Sequence, residues 1–272
     1  MPPHLDNAQD YYDRHSTEYV DKWRALESVT QPSDIYRKNM VANLIEMAAV
    51  RPGRQVVEIG AGTGLVLREL LQRTTPVVGT DVSIEMLRRA QESLAPDWRV
   101  VLADAVPEEL DSADLYLVQD DLQHTKLPSA RFDAILSMEV LRYIGDLDRA
   151  LGNVRSALVE GGVFAFSVTN RWSLGLFPIK YEARRALGRV RPDEELVQYF
   201  VTEGRIRQAL ARAGFRVAEM RKLNCLTFNP LVRRVVRTSA GARRAIATDK
   251  RLERVPGVNR LFDTFLIAAQ AT

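Results

Sequence analysis

Apolar residues along the chain fall into short continuous runs that alternate with segments of helical spacing. Short apolar runs bounded by turn residues are typical of buried strands, whereas apolar residues three to four positions apart indicate amphipathic helices. Strands that alternate with helices favour a parallel sheet covered on both faces. We therefore predict an α/β fold with seven strands. The predicted strands are Val56–Ile59, 76–81, 114–121, 131–138, 163–168, 215–220 and 261–270.

Capping residues mark where several of the predicted helices begin and end. The helix that starts near residue 147 is expected to end at Gly161-Gly162, because glycine is a common C-terminal signal. The helix over 203–213 is expected to have Thr202 as its N-cap and to stop at Gly214.

Composition shifts divide the chain into parts. Residues 1–50 predict an N-terminal helical segment, and "RPGR" separates it from a main domain over 51–272. Two connections within that domain, at about 169–201 and 222–260, are too long for simple turns. Long connections in compact domains commonly carry function, so both are candidate functional insertions.

The stretch "EIGAGTG" places three glycines directly after the first predicted strand. Bare backbone at this point lets a ligand approach the amides and the helix N-terminus closely. A dinucleotide fingerprint needs glycine at position 65, where this chain has Leu65. The spacing therefore disfavours a nicotinamide-dependent oxidoreductase, which stays an alternative that a cofactor-binding assay would decide.

Four stretches, in order, carry a family resemblance: "VEIGAGTG", "GTDVS", "FDAILSMEVLRYIGDLDRAL" and "TEGRIRQALARAGF". The chain resembles the class I S-adenosylmethionine-dependent methyltransferases, in particular the UbiE-like small-molecule methyltransferases. The resemblance implies a Rossmann-like, doubly wound seven-stranded sheet, mostly parallel with one antiparallel strand. It also implies a helical N-terminal lid, a substrate cap at about 169–201, and S-adenosylmethionine as cofactor, with S-adenosylhomocysteine as product.

The resemblance implies contacts with each part of this cofactor. Carboxylates at Glu58 and Asp81 suit its ammonium and ribose donors, since charge-assisted hydrogen bonds are the stronger class. The adenine-contacting acid is Asp121 or Asp104, and the "LP" and "FD" that follow favour Asp121, which makes 97–113 an insertion. The other implied cofactor-binding residues are Tyr12, Tyr19, Gly60, Ala61, Gly62, Gly64, Val82, Met86, Leu122, Met138 and Glu139.

The general base is not identified by the sequence. Many relatives have a histidine pair after the fourth strand, where this chain has Arg142 and Tyr143. The candidates for a catalytic proton acceptor are His15, His124 and Tyr143, each of which is equally consistent with packing or surface exposure. The transfer itself is an in-line displacement in which the protein mainly positions the reactants and excludes water.

The two insertions suggest what accepts the methyl group. The first has an apolar set for substrate contact, namely Trp172, Leu174, Leu176, Phe177, Ile179 and Tyr181. We expect a small acceptor with an apolar body, such as an isoprenoid, lipid or aromatic biosynthetic intermediate, methylated on oxygen, nitrogen or carbon. The alternatives are an RNA methyltransferase that uses the basic C-terminal half, and a non-catalytic protein that binds S-adenosylmethionine.

The charge distribution predicts a binding partner, and the cysteine content predicts a cellular compartment. Residues 1–170 carry 17 Lys and Arg against 26 Asp and Glu, whereas residues 171–272 carry 21 against 9. The basic second insertion, with a possible amphipathic helix over 231–237, could contact an anionic membrane surface or a phosphate group, while nucleic acid is the less favoured partner. One cysteine, no secretory signal and no membrane-spanning run predict a cytoplasmic protein without a thiolate metal site.

Overall fold

A computed structural model describes residues 8–18, 32–189, 196–226 and 238–272. Eight helices and eight strands are found in these ranges, in mainly alternating order. The helices are α1 (8–18), α2 (Pro32–Met47), α3 (Leu65–Leu71), α4 (Ile84–Leu94), α5 (Leu147–Ala157), α6 (Phe177–Ala186), α7 (Glu203–Arg212) and α8 (Ser239–Leu252). The strands are β1 (Val56–Ile59), β2 (Val77–Asp81), β3 (Val100–Ala103), β4 (Leu115–Gln119), β5 (Phe132–Ser137), β6 (Leu158–Thr169), β7 (Phe215–Leu223) and β8 (Thr264–Ala271).

The strands form one sheet in the order β3-β4-β2-β1-β5-β6-β8-β7. The pairs from β3 to β6 are parallel, and β8 runs antiparallel to both of its neighbours. This architecture confirms the predicted doubly wound, mostly parallel sheet with one antiparallel strand. The N-terminus of β8 therefore lies at the same edge of the sheet as the carboxyl ends of the parallel strands.

Neighbouring residues of each strand pack into separate cores on the two faces of the sheet. Val56 packs with α2, α3 and α4, whereas Val57 packs with α5 and α7 on the opposite face. A strand buried on both sides needs a continuous apolar run, because side chains alternate between the faces. This is why the first strand could be predicted with its observed bounds.

The predicted strand count was wrong, because β3 adds an eighth strand within 97–113. It lies at the outer edge of the sheet and pairs in parallel with β4, where Val100 is opposite Leu115. Its side chains are only partly buried, and Val101 is exposed. An edge strand covered on few sides lacks the strongly buried run that identifies the central strands.

The end of α5 also differs from the prediction. The helix stops at Ala157, and β6 begins at Leu158, before the two glycines. Gly161 lies inside β6, three residues after the strand begins, and adopts a left-handed conformation with φ +73°. Thr202 and Gly214 are confirmed as cap and stop: the Thr202 hydroxyl accepts from the Arg205 N–H, and Gly214 has φ +79°.

The two insertions and the N-terminal segment are described in part. Helix α6 lies in the first insertion and α8 in the second, but the basic stretch 231–237 lies outside the described residues, as does Tyr19. Helix α2 buries Met40 and Leu44 in the core beside β8, so this part of the N-terminal segment covers the sheet. Among the helices that the structure describes, none has the length and hydropathy to cross a membrane.

Candidate functional site

The site lies at the carboxyl edge of the sheet, where the chain changes direction between β1 and β5. From β1 the chain proceeds outward through β2, and it returns to the other side of β1 as β5. In open α/β sheets, ligands bind at such a switch point. The Ser137 hydroxyl donates to the carbonyl of Ile59 at 3.0 Å and joins the ends of these two strands.

The glycine loop connects β1 to α3 through three left-handed residues. Gly60, Gly62 and Gly64 have φ values of +75°, +52° and +91°, a region that side chains with a Cβ disfavour. A Cβ on Gly60 would lie 2.0 Å from a methyl group of Val140, whereas a Cβ on Gly62 would meet nothing within 4 Å. Gly60 is therefore required by close packing, and Gly62 borders open space.

Asp81 ends β2 beside this loop and links it to α4. Its carboxylate accepts from the Gly62 N–H at 2.8 Å and from the Ser83 N–H at 2.9 Å. Burial raises the pKa of Asp81 to about 6; these two amides lower it, and the negative charge of Asp13 raises it. A carboxylate placed in this way can accept hydrogen bonds from vicinal hydroxyl groups.

Glu58 lies beneath the loop in β1 and is buried. Its Oε2 atom has no hydrogen-bond partner in the part of the chain that the structure describes. Burial raises the pKa of Glu58 well above its usual range, and the nearby charge of Asp81 raises it further. Because a buried orphan acceptor is costly, this oxygen is suited to a cationic or hydrogen-bonding ligand.

Asp121, and not Asp104, follows the strand next to β2. Strand β4 pairs with β2 and leads to Asp121, whereas Asp104 follows the outer strand β3 and is exposed. Asp121 caps a 3₁₀ turn by accepting from the Gln123 N–H at 3.0 Å, and its Oδ2 atom is 2.6 Å from Nδ1 of His124.

The remaining residues assigned to the cofactor have different degrees of burial. Ala61, Met86 and Leu122 are buried, and Val82 and Met138 are partly buried. Met86 is nearly inaccessible and forms part of the interior of the domain. The loop amides of Gly60 and Ala61 donate to the carbonyl of Thr80 at 2.7 and 2.8 Å.

Helix α1 is attached above the start of α4 by a residue that the sequence did not reveal. The Asp13 carboxylate accepts from the Ser83 hydroxyl at 2.5 Å and from the Glu85 N–H at 3.4 Å. The rings of Tyr12 and Tyr143 lie 6.0 Å apart in an edge-to-face arrangement. His15 stacks on Tyr11, and its Nδ1 atom is 2.8 Å from the Tyr11 carbonyl.

A charged cluster lies beyond the end of β5, on the side away from Asp121. Arg142 Nη1 donates to Glu139 at 2.7 Å, and Arg142 Nε donates to Gln198 at 3.1 Å. The guanidinium carbon lies 5.6 Å from the Tyr143 ring centre and 5.9 Å from that of Phe177. Glu139 holds a left-handed conformation with φ +61°, and its N–H donates to the Ser167 hydroxyl at 2.7 Å.

Asp263 adds a second carboxylate to this cluster. It precedes β8 and accepts from the Ser173 hydroxyl at 2.7 Å. Burial raises its pKa to about 6; the Ser173 hydrogen bond lowers it, the charge of Glu139 raises it, and Arg142 lowers it. Burial lowers the pKa of Arg142, but the charges of Glu139, Tyr143 and Asp263 and the hydrogen bond to Glu139 together outweigh this effect, so the net pKa is raised.

Of the predicted substrate residues, Phe177 and Tyr181 lie together, with ring centres 6.1 Å apart, whereas Trp172 faces solvent. Tyr181 is buried, and its hydroxyl donates to the Leu196 carbonyl at 3.0 Å and accepts from the Gln198 N–H at 3.0 Å. Phe177 contacts the charged cluster, whereas Trp172 is 55% exposed. Leu176 and Ile179 are also exposed to solvent.

The structure also separates the three candidate bases. His124 is exposed beside Asp121, and His15 lies on α1, whereas Tyr143 lies beside Arg142. Sequence reasoning missed Asp13, Gln198 and Asp263. Asp263 falls inside the predicted last strand, 261–270, whereas β8 begins at Thr264 and leaves this acid just before the strand.

Comparison with known proteins gives the same fold and a family. A family described as a methyltransferase domain matches residues 33–220. The malonyl-[acyl-carrier protein] O-methyltransferase of Geobacter sulfurreducens is 29% identical over 209 residues, which are 74% of this chain and 71% of that protein. The ubiquinone biosynthesis O-methyltransferase of Paramagnetospirillum magneticum is 28% identical over 188 residues, with coverage of 66% and 65%.

Solved structures share the architecture at low identity. Magnesium protoporphyrin IX methyltransferase from Synechocystis, solved with bound S-adenosylhomocysteine, has a TM-score of 0.58 and 16% identity, and the match covers 97% of this chain and 98% of that one. The family match, the sheet order and the glycine loop beside Asp81 all indicate the same family. The chain belongs to the class I S-adenosylmethionine-dependent methyltransferases, and S-adenosylmethionine is its cofactor.

Proposed function

We propose that this protein is an O-methyltransferase that acts on a small molecule with an apolar body. The observation that carries the proposal is the arrangement at the sheet edge: a glycine loop tied to Asp81 on one side and a charged cluster flanked by aromatic rings on the other. The two curated relatives described above are both named as O-methyltransferases, which favours oxygen over nitrogen or carbon.

The residues at the loop fit the cofactor. Glu58 has the orphaned buried oxygen that the ammonium group of the methionine part would satisfy, and Gly62 leaves room beside the loop. Asp81 would hold the ribose hydroxyls, and Asp121 with Leu122 would flank the adenine. When bound, the cofactor supplies an electrophilic methyl group with a good leaving group already in place.

Aromatic rings support an apolar or aromatic acceptor body. Tyr143 and Phe177 flank Arg142, and Tyr12 packs edge-on against Tyr143, so their faces and edges offer van der Waals contact to a flat or branched hydrocarbon. Arg142 is fixed by Glu139 and Gln198, so it can orient an oxygen of the acceptor without a change of rotamer.

Asp263 is the proton acceptor that this site offers. A hydroxyl nucleophile must lose its proton, and a buried carboxyl with a pKa of about 6 is ionised at neutral pH. Arg142 and Glu139 lie beside it, and the Ser173 hydroxyl keeps it oriented. The two histidines lie elsewhere, on the lid helix and beside Asp121.

The function is tested by incubating the protein with methyl-labelled S-adenosylmethionine and a host-cell extract. Label that partitions into organic solvent and is released as methanol by ester hydrolysis, or as methyl iodide when an ether is cleaved with hydriodic acid, would support the proposal. Label in nuclease-sensitive material would instead make the chain an RNA methyltransferase. Binding of the cofactor without any label transfer would assign it a non-catalytic role.

Replacement of Asp263 by asparagine is expected to slow label transfer by about a hundredfold, because general-base catalysis contributes roughly this much. The variant should bind S-adenosylmethionine as tightly as the wild type. At saturating S-adenosylmethionine, the rate of the wild type should also fall as the pH drops through about 6, and the variant should lose this dependence. An equal loss of rate in the Asp104→Asn variant, or an unchanged rate in Asp263→Asn, would contradict the assignment of Asp263 as the proton acceptor.

The choice between the two adenine acids has a direct test. We expect Asp121→Ala to weaken S-adenosylmethionine binding by about tenfold, since one charge-assisted hydrogen bond is removed. Asp104→Ala should bind like the wild type, because this residue follows the outermost strand. Titration calorimetry measures both, and the reverse order of effects would assign the contact to Asp104.

Cofactor affinity is expected to rise as the pH increases through about 6 and beyond. Burial holds the pKa of Asp81 at about 6 and that of Glu58 higher, and both would bind the cofactor as carboxylates. Binding therefore releases protons, and each group changes the dissociation constant by up to about tenfold per pH unit below its pKa. Asp13→Asn removes a negative charge that raises the pKa of Asp81. On acidification, the loss of cofactor affinity should therefore begin at a lower pH in this variant than in the wild type. A flat pH profile would exclude this linkage.

A further inference from the structure

Helix α6 exposes an apolar stripe where a surface helix normally presents polar residues. Leu176 and Ile179 are 43% and 40% exposed, and Leu187 is 69% exposed. Ile179 and the exposed Ala183 are four positions apart and share one side of the helix, and Leu176 and Leu187 flank it as the residues that cap its two ends. Pro178 and Tyr181 occupy the opposite side of the helix and are buried.

The stripe belongs to a larger exposed apolar surface. Seven large apolar side chains are exposed in the residues that the structure describes, and six of these lie within 172–187 and 255–261. The two segments are joined, because the Leu174 N–H donates to the Leu261 carbonyl at 2.8 Å. Clustering of this kind marks an interaction surface, whereas single exposed apolar residues do not.

Basic residues accompany this surface. Residues 171–189 contain five Lys or Arg and one acidic residue, Glu182, which pairs with Arg171 at 2.9 Å. Lys180 lies at the edge of the stripe, and Arg189 and Arg260 are exposed in the two joined segments. An apolar stripe bordered by positive charge matches an anionic lipid surface, where the apolar residues enter the headgroup boundary and the cations meet phosphates.

From this juxtaposition we infer that α6 and the adjoining Trp172 form a membrane-docking surface for anionic bilayers. The inner side of the same helix carries Phe177 and Tyr181, which adjoin the charged cluster around Arg142. Docking would thus place the acceptor side of the enzyme towards the lipid. Because lipid binding needs no turnover, this inference can fail or hold independently of the proposed function.

The test is flotation of the full chain with lipid vesicles in the absence of any acceptor. The two kinds of vesicle are phosphatidylcholine alone and phosphatidylcholine with roughly one third phosphatidylglycerol. We expect binding to the second kind, with loss at high salt. Ile179→Asp is expected to weaken this binding by about tenfold or more, since a charge replaces a side chain that enters the headgroup boundary.

Val101→Asp is the matched control, because Val101 is 39% exposed and lies on the outer strand β3. It changes the net charge equally and should bind vesicles like the wild type, and both variants should keep cofactor affinity. No flotation of the wild type, equal binding to both kinds of vesicle, or equal loss in the two variants would overturn the inference. A dimer that Ile179→Asp dissociates, without vesicle binding, would assign the stripe to a second copy of the chain.

Discussion

Asp81→Asn is expected to weaken S-adenosylmethionine binding by about a hundredfold, because two charge-assisted hydrogen bonds to the ribose are reduced to weaker neutral ones. The side chain keeps its size, and the amide oxygen can still accept from Gly62 or Ser83, so the loop should stay folded. Titration calorimetry with S-adenosylmethionine and with S-adenosylhomocysteine measures the effect, which should be the same for both.

The control for this prediction is Asp120→Asn. Asp120 is a partly buried carboxyl at the same edge of the sheet, but its oxygens accept from Lys126 and Thr125 in the loop after β4. It should alter stability more than cofactor affinity. An Asp81→Asn variant with wild-type affinity would show that the ribose is held elsewhere, and the proposed cofactor site would then be wrong.

Substitution of alanine for two glycines of the same loop should affect stability and cofactor binding to different degrees. Gly60→Ala is expected to lower the free energy of unfolding by about 3 kcal/mol, because it combines backbone strain with a clash in a packed core. The clash is with Val140, and φ is +75°. Gly62→Ala meets open space, so the strain of its φ of +52° should cost only about 1 kcal/mol.

Cofactor binding separates the two variants further. The new methyl group at position 62 would occupy the space beside the loop and should weaken S-adenosylmethionine binding by more than about tenfold. Urea unfolding and calorimetry on the same samples measure both effects. If Gly62→Ala bound normally, the open space beside this residue would not be the cofactor site, while equal destabilisation of both variants would contradict the packing argument.

The central fold was predictable because its strands are buried on both faces. Short, mostly apolar runs bounded by turn residues, such as that of β1, favour buried strands, and the cap at Thr202 acts over three residues. The outer strand β3 was missed because its side chains are only partly buried and its pattern is weak. The start of β6 was missed because two glycines normally end a helix and here lie inside a strand.

The parts of the candidate site formed by residues close together in the sequence could be predicted. The parts formed by residues far apart in the sequence could not. The loop glycines and Asp81 lie within about two dozen residues, and their spacing follows from one β-α-β unit. Arg142 instead meets Gln198 at 56 residues' separation, and Ser173 meets Asp263 at 90. No periodicity encodes such pairs, because they depend on which strand ends are neighbours.

The position of β8 has a consequence for how the molecule is made. This strand lies between β6 and β7 and pairs with both, although it follows both in the chain. As synthesis proceeds, β6 and β7 leave the ribosome first and have no direct pairing with each other. Each keeps an open edge until β8 arrives, and open edges are prone to aggregation. The nascent chain thus carries a split sheet that closes late, when β8 also delivers Asp263 to the acceptor side.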